Sequence, residues 1–191
     1  MRCHSEGEGT NGECSPFRMK WPRLSWSNEG DKTTTRPIAL VLPKAIIAAM
    51  RAESEQGLPN ETGGVLVGHV DAAGCTFITA VVGPGPRALR TRTRFRRDGD
   101  YAQAEVDRLH NESAGRDDYV GEWHSHPVSA GPSGLDRDSM EWIGGNKRYL
   151  RGQPFLVIMQ RTLWRSWRPL TYRWVHGSLT AVRAESGGGG I

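Results

Sequence analysis

Cysteine is scarce in this sequence and poorly placed for pairing. There are three, Cys3, Cys14 and Cys75, an odd count with no C-x-x-C spacing. That argues against a disulfide framework and favours a reducing, cytoplasmic setting. Long apolar runs are missing too, so no segment is expected to cross a membrane. The opening "MRCHSEGEGTNGECSPFRMK" has no apolar stretch of the kind a secretory signal needs. Apolar residues make up only 37% of the 191, and the shortfall is concentrated at the two ends. A large excess of one charge is also absent. The net charge of +4 is too mild to point to nucleic acid, although it favours acidic partners over basic ones.

What remains suits one domain with tails. Residues 1–36 are rich in Gly, Ser, Thr, Glu and Lys and are expected to be disordered. Trp21 and Trp26 are the candidates there for docking on the domain, and Met19 is a candidate alternative start. Residues 37–180 are expected to form the domain. Residues 181–191, ending in "GGGGI", are expected to be a flexible tail.

Within the domain, "IALVLP" reads as a short strand stopped by Pro43. "KAIIAAMRAESEQG" reads as a helix with Ile46, Ile47, Met50 and Ser54 on one face and Gly57 at its end. "TGGVLVGHV" and "CTFITAVVG" are two strands joined by the turn "DAAG". "RALRTRTRFRR" alternates strictly and is expected to be a third strand, with Arg90, Arg92, Arg94 and Arg96 on one basic face. "YAQAEVDRLHNES" is a helix with Ala102, Val106 and Leu109 inward and Asp98 or Asp100 near its start. "YVGEWHSHP" is a strand, "SGLDRDSMEWIGGNK" a short helix, "PFLVIMQ" a buried strand, and "SWRPLTYRWVHG" adds one or two more. Helices mixed with antiparallel hairpins give the α+β class.

The chemistry concentrates in "GEWHSHPVSAGPSGLDRD". In a strand, residues i and i+2 share a face, so His124 and His126 present both imidazoles to one point while Ser125 faces away. Two imidazoles and one carboxylate, with water in the fourth position, are the ligand set of a catalytic zinc site. The plain alternative is a pair of surface histidines at a strand end. Ser133 suits a helix N-cap, with Asp136 in the first turn. A capped helix start is also a rigid mount for a ligand. Asp138 competes with Asp136, but it lies about 200° further around the helix axis, so both cannot face one ion. Hydrolysis also needs a general base. Glu61, just before the Gly63–Gly64 strand, and Glu122, two residues before His124, are the two candidates.

These residues resemble a known family. Glu61 in "ETGGVLVG", then "HSHP", then "PSGLD", taken in that order, is similar to the JAMM zinc motif of the JAB/MPN metallopeptidases. The similarity runs from about residue 37 to 175. "GEWHSHP", the "DRDS" helix start and "FRRDGDYAQAEVDRLH" resemble a bacterial subgroup that includes the deconjugating peptidases of type II CBASS antiphage systems. The resemblance implies a mixed, largely antiparallel curved sheet flanked by helices, with cytidine-deaminase-like layering. It implies one zinc ion held by His124, His126 and Asp136, Glu61 as the base, and Ser133 as donor to the oxyanion. The implied reaction is hydrolysis of an amide or isopeptide bond after the C-terminus of a ubiquitin-like modifier or conjugated protein. Ubiquitin-activating and conjugating-like enzymes and a nucleotidyltransferase are the implied partners. One departure stands out: nine residues separate His126 from Asp136, where the family usually has ten. Three alternatives stay open. A JAMM peptidase trimming sulfur-carrier proteins would use the same site, as would a RadC-like relative, and an inactive MPN scaffold would lack turnover.

Overall fold

A computed structural model describes residues 40–128, 130–146, 149 and 153–187. The stretch expected to be a disordered N-terminal tail lies outside the described residues, together with Cys3, Cys14, Trp21 and Trp26. In chain order the elements are β1 (Leu40–Val41), α1 (Lys44–Gly57), β2 (Gly63–Val70), β3 (Thr76–Val82), β4 (Leu89–Arg90), β5 (Phe95–Arg96) and α2 (Gly99–Glu112). There follow β6 (Asp118–His126), α3 (Gly134–Gly145), β7 (Phe155–Arg161), β8 (Trp167–Val175), β9 (Ser178–Ala181) and β10 (Ala184–Glu185).

Eight strands form one sheet in the order β10-β1-β3-β2-β6-β7-β8-β9. The pairs β2–β3, β2–β6, β7–β8 and β8–β9 are antiparallel. The pairs β1–β10, β1–β3 and β6–β7 are parallel. The expected α+β class and the mixed, mainly antiparallel sheet are therefore what the chain adopts. Strand β10 carries the sheet into residues expected to be a tail.

Period-two alternation sends side chains to two cores. Val65 and Val67 join Ala102, Val106, Met140 and Ile143 on the face covered by α2 and α3. Leu66 joins Met50, Val120 and Trp123 on the face covered by α1. Strand β7 feeds both faces, Leu156 and Ile158 to one and Phe155, Val157 and Met159 to the other. A strand buried on both sides reads as an unbroken apolar run, as "PFLVIMQ" does.

Helix α1 buries Met50 and Ser54 as expected. The Ser54 hydroxyl meets its hydrogen-bonding need locally by donating to the Met50 carbonyl at 2.7 Å. Helix α2 is capped by Asp98, whose side chain accepts from the Tyr101 N–H at 3.3 Å.

The arginine-rich segment departs from expectation. It is not one strand but a small separate hairpin, β4 against β5, pairing Leu89 with Arg96 and Arg90 with Phe95. The physical reason is that arginine alternating with threonine offers no apolar face to bury. The chain therefore bends back over Thr91–Arg94, where the Thr91 N–H donates to the Arg94 carbonyl at 2.9 Å. The four arginines consequently do not share a single strand face.

Candidate metal centre

The centre is built where β2 meets β6. Gly63 pairs with His124 and Gly64 with Trp123. A Cβ on Gly64 would sit 1.9 Å from the Val82 carbonyl oxygen, so only glycine allows β3 this close. Just before the pairing, the Thr62 N–H donates to Ser125 Oγ at 3.0 Å and the Ser125 N–H donates to the Thr62 carbonyl at 2.7 Å. Ser125 does face away from the imidazoles, fully buried, and it fastens the two strands. Thr62 also donates to Glu53 of α1 at 2.7 Å. Glu61 is thus held at the mouth of the sheet beside the end of β6. Its own N–H donates to the Thr91 carbonyl at 2.8 Å, which ties the β4–β5 hairpin to the site.

His124, His126 and Asp136 converge, with one possible ligand atom from each within 4.8 Å of the others. His124 Nε2 and His126 Nε2 are 3.0 Å apart. Asp136 Oδ1 lies 3.1 Å from His124 Nε2, and Oδ2 lies 3.5 Å from His126 Nε2. Ligand atoms about 2.0–2.1 Å from a tetrahedral metal stand about 3.3 Å from one another. The three separations bracket that edge length. His126 Nδ1 lies 3.4 Å from the Ala130 carbonyl. An N–H donated there leaves Nε2 as the lone-pair nitrogen. The donor set and its spacing fit a small divalent cation.

Asp136 performs two tasks. Ser133 caps α3, its Oγ accepting from the Asp136 N–H at 3.2 Å, while the Ser133 N–H donates to Asp136 Oδ2 at 2.6 Å. This capping box fixes the carboxylate that faces the imidazoles. It also leaves the Ser133 hydroxyl hydrogen free to donate. Burial pushes the Asp136 carboxyl up, but the two imidazoles and the Ser133 N–H outweigh it and hold the group below the usual range. His126 moves the other way: burial lowers it, Asp136 and Glu61 raise it, and the net shift is upward. Burial pushes Glu61 up and the Asp136 charge adds to this, against the pull of the two histidines. Asp138 is exposed and stands outside the converging group.

A cavity of about 410 Å³ opens on the centre. Glu61, His124, Ser133 and Asp136 lie on its wall with Arg94, Arg97, Trp142 and Tyr149. Sequence reasoning missed one feature of it. Arg97 donates to Glu122 Oε2 at 2.7 Å and to Tyr149 Oη at 3.3 Å. Tyr119 Oη donates to Glu122 Oε1 at 2.8 Å. Tyr119 and Glu122 share a face although three apart, because β6 carries an extra residue opposite Leu66–Val67. Glu122, the alternative base, therefore has both oxygens engaged in a buried ion-pair network. Its one sequence signal was its place two residues before His124 on the same face.

The chain matches known proteins over most of its length. The family described as prokaryotic homologs of the JAB domain matches residues 43–170. A probable metalloprotease, y4qB of Sinorhizobium fredii, is 30% identical over 125 residues, covering 64% of this chain and 76% of that protein. A CD-NTase/cGAS isopeptidase of Enterobacter hormaechei is 32% identical over 145 residues, covering 74% of this chain and 76% of that protein. The solution structure of protein DSY2949 from Desulfitobacterium hafniense superposes with a TM-score of 0.57 at 18% identity, covering 78% of this chain and 93% of that one.

Proposed function

This chain belongs to the prokaryotic JAB-domain family, and from that premise we propose that it is a zinc-dependent isopeptidase acting on a conjugated protein, in bacterial antiphage defence. The observation that carries the reading is the convergence of His124, His126 and Asp136 beside a cavity lined by Glu61, His124, Ser133 and Asp136. The names of the similar proteins, a metalloprotease and a CD-NTase/cGAS isopeptidase, support the class of reaction and the class of substrate. A CD-NTase conjugated through its C-terminus is accordingly the first substrate to try.

His124, His126 and Asp136 would hold the ion. Zinc in such a site supplies Lewis acidity toward a water and a carbonyl. The chain's own residues do the rest. Glu61 takes a proton from the attacking water as its oxygen bonds to the scissile carbonyl carbon. The Ser133 hydroxyl donates to the carbonyl oxygen as negative charge gathers there. When the C–N bond breaks, Glu61 returns the proton to the departing amine nitrogen. Arg97 and Glu122 also line the cavity, and Arg97 and Tyr119 engage both carboxylate oxygens of Glu122.

The test is direct. Purified protein should carry about one zinc per chain in this ligand set. It should release a CD-NTase from an amide-linked fusion, and stop when a chelator removes the metal. A metal-loaded protein that leaves such amide bonds intact would count against the reading and in favour of the scaffold.

A further inference from the structure

The β7–β8 turn takes no part in the centre, yet it holds the most exposed large apolar residues among those described. Leu163 is 91% exposed and Trp164 92%. The turn is firmly built. The Thr162 N–H donates to the Ser166 carbonyl at 2.7 Å, the two hydroxyls lie 2.7 Å apart, and the Arg165 N–H donates to the Thr162 carbonyl at 3.0 Å. Arg165 holds a positive φ of 59° to close it. The apex therefore presents leucine and tryptophan to solvent in a fixed frame. Isolated exposed apolar residues are ordinary, whereas an adjacent leucine and tryptophan held in a fixed frame leave a contiguous apolar tip uncovered among the described residues.

Charge and position narrow the partner. Residues 161–168, "RTLWRSWR", contain three arginines and no carboxylate. Arg161 lies over the Trp167 ring at 6.0 Å, and Arg168 donates to Gln160 at 2.7 Å. Neither they nor Arg165 form an ion pair among the described residues. Strands β6 and β7 are parallel and pair His126 with Gln160, so they leave the sheet at the same end. The tip therefore stands at the end that carries the metal ligands. Exposed Val128, two residues after His126, lies at that end as well.

We propose that the Leu163–Trp164 tip docks the folded protein part of the substrate, gripping an apolar patch edged by carboxylates. This rests on the peptidase reading and adds a partner surface to it. Tryptophan and arginine are the residues that dominate such contacts. A lipid surface would also suit an apolar tip among arginines. At this end of the sheet, however, a bilayer would cover the approach to the metal ligands, whereas a substrate protein must come there.

The experiment compares two probes on the parent and on Leu163→Ser/Trp164→Ser. One is a CD-NTase joined through its C-terminus to a fluorescent protein, and the other is a fluorogenic peptide of the same C-terminal residues. The double variant should keep its metal content, melting temperature and peptide rate. Its kcat/KM on the fusion should fall on the order of thirtyfold, through KM. Equal loss on both probes, or no loss on either, overturns the docking surface. So does a parent that dimerises through the tip, or one that binds vesicles of anionic phosphatidylglycerol through it. A parent that cuts the peptide but gains nothing from the fusion overturns this proposal alone. One that cuts neither overturns the peptidase reading and this proposal with it.

Discussion

Gly63 stands directly opposite His124 in the β2–β6 ladder, and a Cβ on it would lie 2.3 Å from the Trp123 carbonyl oxygen and 2.7 Å from His124 Cβ. Backbone is the obstacle, so no rotamer change relieves it. Gly63→Ala should force β2 away from β6 exactly where the first imidazole is mounted. The expected loss is roughly 3 kcal/mol or more, at the upper end for overpacking. Thermal unfolding and zinc content should fall together. An alanine variant with unchanged melting temperature would mean the ladder can open there at little cost.

Glu61→Gln preserves shape and removes the carboxylate proposed as the base. It should keep the fold and the zinc while kcat falls on the order of a hundredfold or more. His124→Ala is the contrast, since it should lose metal as well. Metal analysis and steady-state rates on the two variants check this. A Glu61→Gln protein with parental kcat would move proton transfer to another group.

The buried pair Arg97–Glu122 gives a different signature. Removing one charge leaves the other uncompensated, so Arg97→Leu should cost roughly 3–5 kcal/mol. Replacing both, as Arg97→Met with Glu122→Leu, should recover much of that loss. Denaturant unfolding of the two single variants and the double variant measures it. Strict additivity would mean the two side chains do not interact.

The convergence of His124, His126 and Asp136 was legible because each sits in a local frame with its own period. His124 and His126 follow the two-residue repeat of a strand, and Asp136 follows the cap of a helix. Glu61 could be named from the residues only as one of two candidates beside Glu122, since a glutamate before a glycine pair looks like any loop acid; the family resemblance chose between them. Arg97 was not legible at all. It stands among five other arginines in "RALRTRTRFRR", and nothing local distinguishes the one that turns inward. The same segment misled as a strand because alternation signals a sheet only when one of its two faces is apolar.

Asp117 links stability to pH away from the site. It accepts from Arg116 at 2.8 Å and Thr79 at 2.8 Å, and lies 2.8 Å from His69 Nδ1. Burial pushes its carboxyl up, but these partners outweigh that and bring it down to about 2. A depressed carboxyl stabilises the fold in full above its unfolded pKa near ~3.9. That contribution drains away as pH falls from there through the folded value. Asp117→Asn should lower the melting temperature at neutral pH, by the ~1–3 kcal/mol expected for unsatisfied partners. It should also flatten the profile between about pH 4 and 2. A variant whose acid limb matches the parent's would place the titration elsewhere.

Asp136 and Ser133 can be separated although each holds the other. Asp136→Ala removes the carboxylate that faces the two imidazoles and half of the capping box, so zinc and activity should both go. Asp138→Ala should keep both, because Asp138 is exposed and stands outside the converging group. Ser133→Ala removes the cap but leaves the carboxylate. It should retain zinc, lose ~0.5–2 kcal/mol of stability, and lose kcat by about 10²–10³ if the hydroxyl serves the oxyanion. The loss of rate must exceed what the weaker cap explains, so it is measured well below the variant's melting temperature and at saturating zinc. A Ser133→Ala protein with full kcat would leave Ser133 only its structural task. Zinc kept by Asp136→Ala but lost by Asp138→Ala would mean that the nine-residue loop threads the other carboxylate into the site.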